Sequence, residues 1–229
     1  MQPRGPDVSG VILTSLSVLS AAQCARWAAE VVALERYWTR REAEVPSFTL
    51  GLAAYLDVAP RADQAGSRPP YRIDAYRRWN NGLLRTHFGE LLDQCCEAIS
   101  AWSNLPTQCE DRHAALPGFH IHLPHPLFAA AVASKHIDIQ FRQVFGVVEP
   151  DPASVLTFTL PVSMPQGAAL RIWNHDDHAV DHAYRLGAMT IHDGLRFHQA
   201  ILNPHHLPVP RIMLQGHGIR TDTGWRLYW

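Results

Sequence analysis

The chain has 229 residues, of which 47% are hydrophobic and 18% charged, and its net charge is −1. That length buries a core without staples, and the composition excludes a disordered or fibrous chain. The near-neutral balance lacks the basic stripe of a nucleic-acid binder, and no apolar run reaches the ~18 residues of a membrane span. No nucleic-acid or membrane partner is therefore expected, and the protein is expected to act as a monomer or homodimer.

Taken in chain order, residues 10–16 read as an edge strand. Asp7 and interspersed serines interrupt the apolar stretch around it, so this region reads as mature protein and not as a signal peptide. Ser20 is a candidate N-cap for a helix running to about Trp38, with Ala22, Trp27, Ala28, Val31 and Leu34 at helical spacing. Residues 59–70 are rich in Pro, Gly and Ser and read as a loop. A long helical pattern covers about 72–103, with Leu83, Leu84, Phe88, Leu91, Leu92, Cys95 and Ile99 on one face and a bend expected at Asn80-Asn81-Gly82.

After about Leu116 the period changes from 3.6 to 2. Candidate strands are 118–122, 135–143, 154–162, 168–173, 183–191, 195–201, 209–217 and 224–228, separated by Pro, Gly and Asp turn signals. Strands in this number read as a barrel or sandwich. The predicted architecture is α+β: one domain over 1–229, with a mainly helical layer (1–115) on a mainly β barrel (116–229).

Cys24, Cys95, Cys96 and Cys109 form no CxxC pair, so free thiols in a reducing cytoplasm are expected. Lys135 is the only lysine among 20 basic residues, and 14 residues are histidine. Histidine is the commonest metal ligand and the proton carrier of neutral pH.

The chemistry concentrates around His136-Ile137-Asp138-Ile139-Gln140-Phe141. On a strand, residues two apart share a face, so His136, Asp138 and Gln140 would point one way and Ile137, Ile139 and Phe141 the other. An imidazole and a carboxylate side by side offer two legs of a metal tripod. Two histidines and one carboxylate form the facial triad that leaves positions open on Fe(II). His198 is the candidate third leg, with His192 as its rival. Further on, Arg211, Met213, Gln215 and His217 share a strand face. Arg211 offers a planar fork suited to a carboxylate.

His136-x-Asp138, His198 and Arg211, in that order, resemble the signature of the Fe(II)- and 2-oxoglutarate-dependent dioxygenases. The resemblance extends to Phe48-Thr49-Leu50-Gly51 with Tyr55-Leu56-Asp57, Leu116 to His120, Phe158-Thr159-Leu160-Pro161, and Arg211 to Gly218. These are similar to a bacterial subgroup of small-molecule hydroxylases and free amino-acid halogenases.

The resemblance implies a double-stranded β-helix (jelly-roll) core. It implies Fe(II) on His136, Asp138 and His198, and 2-oxoglutarate on Arg211 with Gln215 beside it, with O2 as co-substrate. The implied reaction releases succinate and CO2 while oxidising an unactivated C–H bond. The halogenases carry a small residue where Asp138 stands, so hydroxylation is expected here. A free amino acid or related metabolite is the implied substrate, with Arg72, Trp173 and Trp225 as candidate contacts. Desaturation or cyclisation on the same scaffold, a jelly-roll binding protein and a zinc hydrolase on the same three ligands are the alternatives.

Other histidines have structural readings. His120, His122 and His125 read as structural or pocket-lining. His205 and His206 read as loop residues, and the Asp- and His-rich stretch 174–182 reads as a solvated loop or a lid.

Overall fold

The computed structural model describes residues 13–58, 71–174 and 176–229. The proposed loop at 59–70, the start of the first strand and His175 lie outside the described residues. In chain order the elements are β1 (Leu13–Ser17), α1 (Ala21–Ala33), β2 (Thr39–Arg40), β3 (Ser47–Leu50), α2 (Ala54–Asp57), α3 (Asp74–Ser103), β4 (Thr107–Cys109), β5 (Gly118–His122), α4 (Gln140–Phe145), β6 (Val155–Ser163), β7 (Ala169–Trp173), β8 (Ala179–Ala183), β9 (Ala188–His192), β10 (His198–Ile201), β11 (Arg211–Thr221) and β12 (Gly224–Tyr228).

The strands form two sheets. The larger runs β1-β9-β6-β11-β5-β3-β2, with β12 pairing both β11 and β4; the smaller runs β10-β7-β8. This is the double-stranded β-helix the sequence implies, with helices outside it.

Alternation on the central strands separates two environments. Leu156, Phe158 and Leu160 of β6 and Ile212 and Leu214 of β11 face the helices. There they meet Trp27, Val31 and Leu34, and Leu84, Phe88, Leu91 and Ile99 of α3. Phe88 stacks obliquely on Phe119 with centroids 4.6 Å apart. The intervening residues Thr157, Thr159, Arg211, Met213 and His217 point into the space between the sheets. Met213 closes one end of that space against Leu170, Ile172 and Tyr184. Because both faces are buried, β6 is apolar or hydroxylic throughout.

Ser20 caps α1 as expected, in a reciprocal box with Gln23. Long-range hydrogen bonds from α3 fix the approach to β5. Arg77 donates to the carbonyls of Asp111, Arg112 and Ala114. Asn81 donates to Ala114 and accepts from the Leu116 N–H. These duties hold Asn80 to Gly82 in regular helix, and the break falls instead at Phe88 (φ −127°, ψ 15°).

Other expectations change as well. Residues 135–143 are not a strand. His136 makes a single bridge to His198, and α4 begins at Gln140. Phe141 and Val144, three apart, bury against the cluster around Tyr228, which favours a helical turn. Ile139 is exposed, not packed inward. The strand expected at 183–191 is broken at Gly187 (φ 72°), so β8 and β9 join different sheets. Part of 174–182 is β8 itself, tied to β7 by Arg171 and Asp181 at 2.7 and 2.9 Å. Within the first 115 residues, β3 and β2 extend the larger sheet beyond β5.

Asn81→Ala leaves the buried Leu116 N–H without its partner and is expected to cost about 2 kcal/mol. Urea unfolding of the variant measures this; an unchanged midpoint would show that Asn81 does not hold the turn into β5.

Candidate active site

His136 and His198 sit directly across an antiparallel bridge, each backbone N–H donating to the other's carbonyl at 3.0 and 2.9 Å. Directly opposed residues project to the same side, and their rings lie 4.4 Å apart. Asp138 follows two residues on, anchored by its N–H to the Gly194 carbonyl at 2.7 Å. One ligand atom from each of His136, Asp138 and His198 lies within 4.8 Å of the others. His136 is partly open while Asp138 and His198 are buried, so the cluster faces outward on one side.

The hydrogen bonds prepare these atoms for a metal. His136 donates its Nδ1–H to the Ser134 carbonyl at 3.0 Å, and His198 donates its own to Arg196 at 2.9 Å. Both Nε2 atoms are thereby turned towards Asp138, 3.6 and 3.3 Å from its carboxylate oxygens. Gln140 donates to Asp138 Oδ1 at 3.2 Å and Thr157 to Oδ2 at 2.6 Å. Since the Thr157 hydroxyl donates to Asp138, its oxygen accepts from His217 Nδ1–H at 3.1 Å. His217 Nε2 is buried without a partner.

Burial alone would raise the Asp138 carboxyl. The His217 and His198 imidazoles and the hydrogen bond from His198 outweigh it and hold Asp138 well below the usual carboxylate range. Burial works against a charged His198, but its hydrogen bond to Asp138 raises it above an ordinary histidine. The donor set is that of a facial triad, two imidazoles and one carboxylate with outer partners, and it fits a divalent transition metal.

His192 is fully enclosed on β9, its ring centroid 4.6 Å from that of His198, and it is not part of the group that could hold an ion. Burial and then His198 push it down to about 3, so it stays neutral. Gly194 is the close-approach point between these elements. A Cβ there would lie 2.5 Å from Thr157 Oγ1 and 3.2 Å from Asp138 Oδ2.

Arg211 is buried at the far end of the inner face of β11. Burial lowers its pKa, and the group that offsets this is the Tyr184 hydroxyl, not a carboxylate. Its Nε has no hydrogen-bond partner. Gln215 lies between Arg211 and His217 on the same strand face and is paired in register with Thr159. His120 and His122 also face inward, and burial, then Arg211, keeps both neutral. Tyr55 places its hydroxyl 2.9 Å from His120 Nε2.

Of the three candidate substrate residues, Trp225 turns away from this interior. Trp225 pairs with Arg220 and packs in the core beneath the helices, on the face of the larger sheet opposite His217. It does not wall this cavity, because its register parity with Leu227 turns it outward. Trp173 alternates with Ile172, the residue opposite His198, and lies under the Lys135 ammonium, 4.3 Å from its ring centroid. Arg72 is exposed, with its backbone N–H on the Asp57 carbonyl.

Thr157, Tyr184 and Gly194 emerge from the structure alone. Only the alternation Thr157-Phe158-Thr159 hinted at inward hydroxyls.

No family model matches the chain, and no curated protein matches it in sequence. Solved structures do match in fold. An N-substituted L-amino acid dioxygenase from Burkholderia ambifaria, in complex with alpha-ketoglutarate, has a TM-score of 0.59 at 13% identity, over 95% of this chain and 86% of that chain. A second structure of such a dioxygenase from that organism gives 0.57 at 11%, over 96% and 87%. A 2OG-Fe(II) oxygenase-family oxidoreductase from Burkholderia pseudomallei gives 0.53 at 9%, over 95% and 87%. The shared property is the double-stranded β-helix fold.

Among the described residues, no helix is long and apolar enough to cross a membrane.

Thr157→Val removes one hydrogen bond to Asp138 with little change of shape. Affinity for Fe(II), titrated anaerobically, is expected to fall about 10–100-fold. Unchanged affinity would mean that Thr157 does not orient the carboxylate.

Proposed function

We propose that the chain is an Fe(II)- and 2-oxoglutarate-dependent oxygenase that hydroxylates an unactivated C–H bond of a small molecule. The observation that carries this is a pair of opposite, unmatched charges in one interior. Asp138 stands in a three-ligand cluster, while Arg211 is buried with no carboxylate to offset it. A zinc hydrolase would give the first a role and leave the second without one.

In this reading His136, Asp138 and His198 hold the iron through Nε2, a carboxylate oxygen and Nε2. Arg211 pairs with the distal carboxylate of 2-oxoglutarate, with Tyr184 beside it and Thr159 and Gln215 along the path between. Bound together, Fe(II), 2-oxoglutarate and O2 supply the oxidising power, with release of succinate and CO2. The protein's own residues hold this geometry. Thr157 and Gln140 hydrogen-bond the two Asp138 oxygens and fix the carboxylate's orientation. His120, His122 and His192 stay neutral, so none of them competes with Arg211 for the anion. The apolar contacts of Met213 with Leu170 and Ile172 close one end of the cavity against water.

A free amino acid or related metabolite is the substrate this reading favours. It rests on the sequence resemblance and on the shared fold with the Burkholderia ambifaria dioxygenase. Asp138 occupies a ligand position, which supports hydroxylation over halogenation. The partly open side of His136 is the approach for that substrate.

Anaerobic addition of Fe(II) and then 2-oxoglutarate is expected to produce a visible metal-to-ligand charge-transfer band. His198→Ala abolishes it. Arg211→Met retains Fe(II) binding but weakens 2-oxoglutarate on the order of 100-fold, the loss of a charged bidentate contact. A wild-type protein that binds iron and never develops the band would refute the oxygenase reading.

A further inference from the structure

A second reactive cluster lies outside the barrel. Cys96 of α3 and Cys109, the last residue of β4, bring their Sγ atoms to 3.8 Å. Both line a surface cavity of about 1040 Å³, together with Arg85, Asp93, Glu97 and His113. Cys109 is partly exposed to it, whereas Cys24 and Cys95 are buried. The two sulfurs need to close by about 1.8 Å to reach disulfide length. Cys109 ends a three-residue strand paired only to β12, so its backbone is held from one side.

We propose that Cys96 and Cys109 form a dithiol that hydroperoxides oxidise to a disulfide joining α3 to β4. Cys109 is the attacking sulfur, because it is the more accessible and has the Arg85 guanidinium beside it. The hydrogen bond from Cys96, and after it the charge of Arg85, hold the Cys109 thiol below its ordinary value against the effect of burial. The same hydrogen bond, with burial, raises Cys96, which keeps its proton.

The Cys109 thiolate attacks one peroxide oxygen and breaks the O–O bond. Cys109 becomes a sulfenic acid, and the second oxygen takes up a proton and leaves as water (or as the alcohol of an organic hydroperoxide). Cys96 then attacks the sulfenic sulfur, the S–S bond forms, and a second water departs with the Cys96 proton. Two thiols lose two electrons, and the peroxide gains them.

The test treats the full chain with a small excess of hydrogen peroxide, blocks remaining thiols, and reads intact mass and a non-reduced peptide map. The expected result is a loss of about 2 Da, reversed by dithiothreitol, with a peptide linking Cys96 to Cys109. Cys96→Ser is expected to accumulate a sulfenic acid at Cys109, trapped by dimedone, and Cys109→Ser to show no mass loss. The proposal is overturned if all four wild-type thiols remain alkylatable, if the link involves Cys24 or Cys95, or if Cys109 proceeds to sulfinic acid while Cys96 stays free. The wild-type peptide map alone decides the matter if either variant fails to fold.

Discussion

Asp138 is a carboxylate withdrawn from water, and the inner architecture is organised around keeping it charged. Removing a carboxylate from solvent is costly unless hydrogen bonds replace the water. Gln140 and Thr157 supply them to the two oxygens, and His198 adds a third polar neighbour. These partners come from α4, β6 and β10, so one side chain ties the helix to both sheets. Gly194 lets the turn before β10 approach closely enough for its carbonyl to receive the Asp138 N–H. The bridge between His136 and His198 completes the arrangement by pinning the two imidazoles on one side.

Arg211 is the counterpart of Asp138 and is kept apart from it. A buried guanidinium and a buried carboxylate in one cavity would ordinarily form an ion pair. Here they belong to different ends of the interior, and the residues between them are neutral imidazoles, hydroxyls and an amide. Each charge is therefore left for something not made of protein. In the oxygenase reading, a dication would answer Asp138 and a ligand carboxylate would answer Arg211. The polarity of the cavity thus constrains the ligand before any substrate is considered.

Much of this was legible because strands alternate. The parity of Arg211, Gln215 and His217 placed them on one face, and His136 with Asp138 on another. Turn spacing pointed to a barrel or sandwich, the family resemblance to a double-stranded β-helix, and Ser20 announced the first helix by its cap. What escaped the reading depends on tertiary partners. Asn80 to Gly82 looked like a bend, yet Asn81 is occupied with the chain before β5 and stays helical. Residues 135–143 alternate like a strand, but Phe141 and Val144 gain more by packing as a helical turn. Trp225 carried no sign of which face it would take. That depends on its register against β11, and one residue of register inverts the answer.

The larger sheet also separates two kinds of chemistry. Its inner face carries hydroxyls, imidazoles and the buried Arg211, and at its outer edge Cys109 of β4 meets Cys96 of α3. The connection between them is short. Cys109 is in register with Leu227 of β12, and the next residue, Tyr228, stands opposite His217 with its ring 5.5 Å away. His217 in turn hydrogen-bonds Thr157, which holds Asp138. A covalent tie from α3 to β4 would thus constrain β12, the strand paired with β11 and its His217. Because β12 alternates, the same strand presents Leu227 to the helices and Tyr228 to the cavity. Oxidation at the outer edge and ligand geometry within therefore share one backbone.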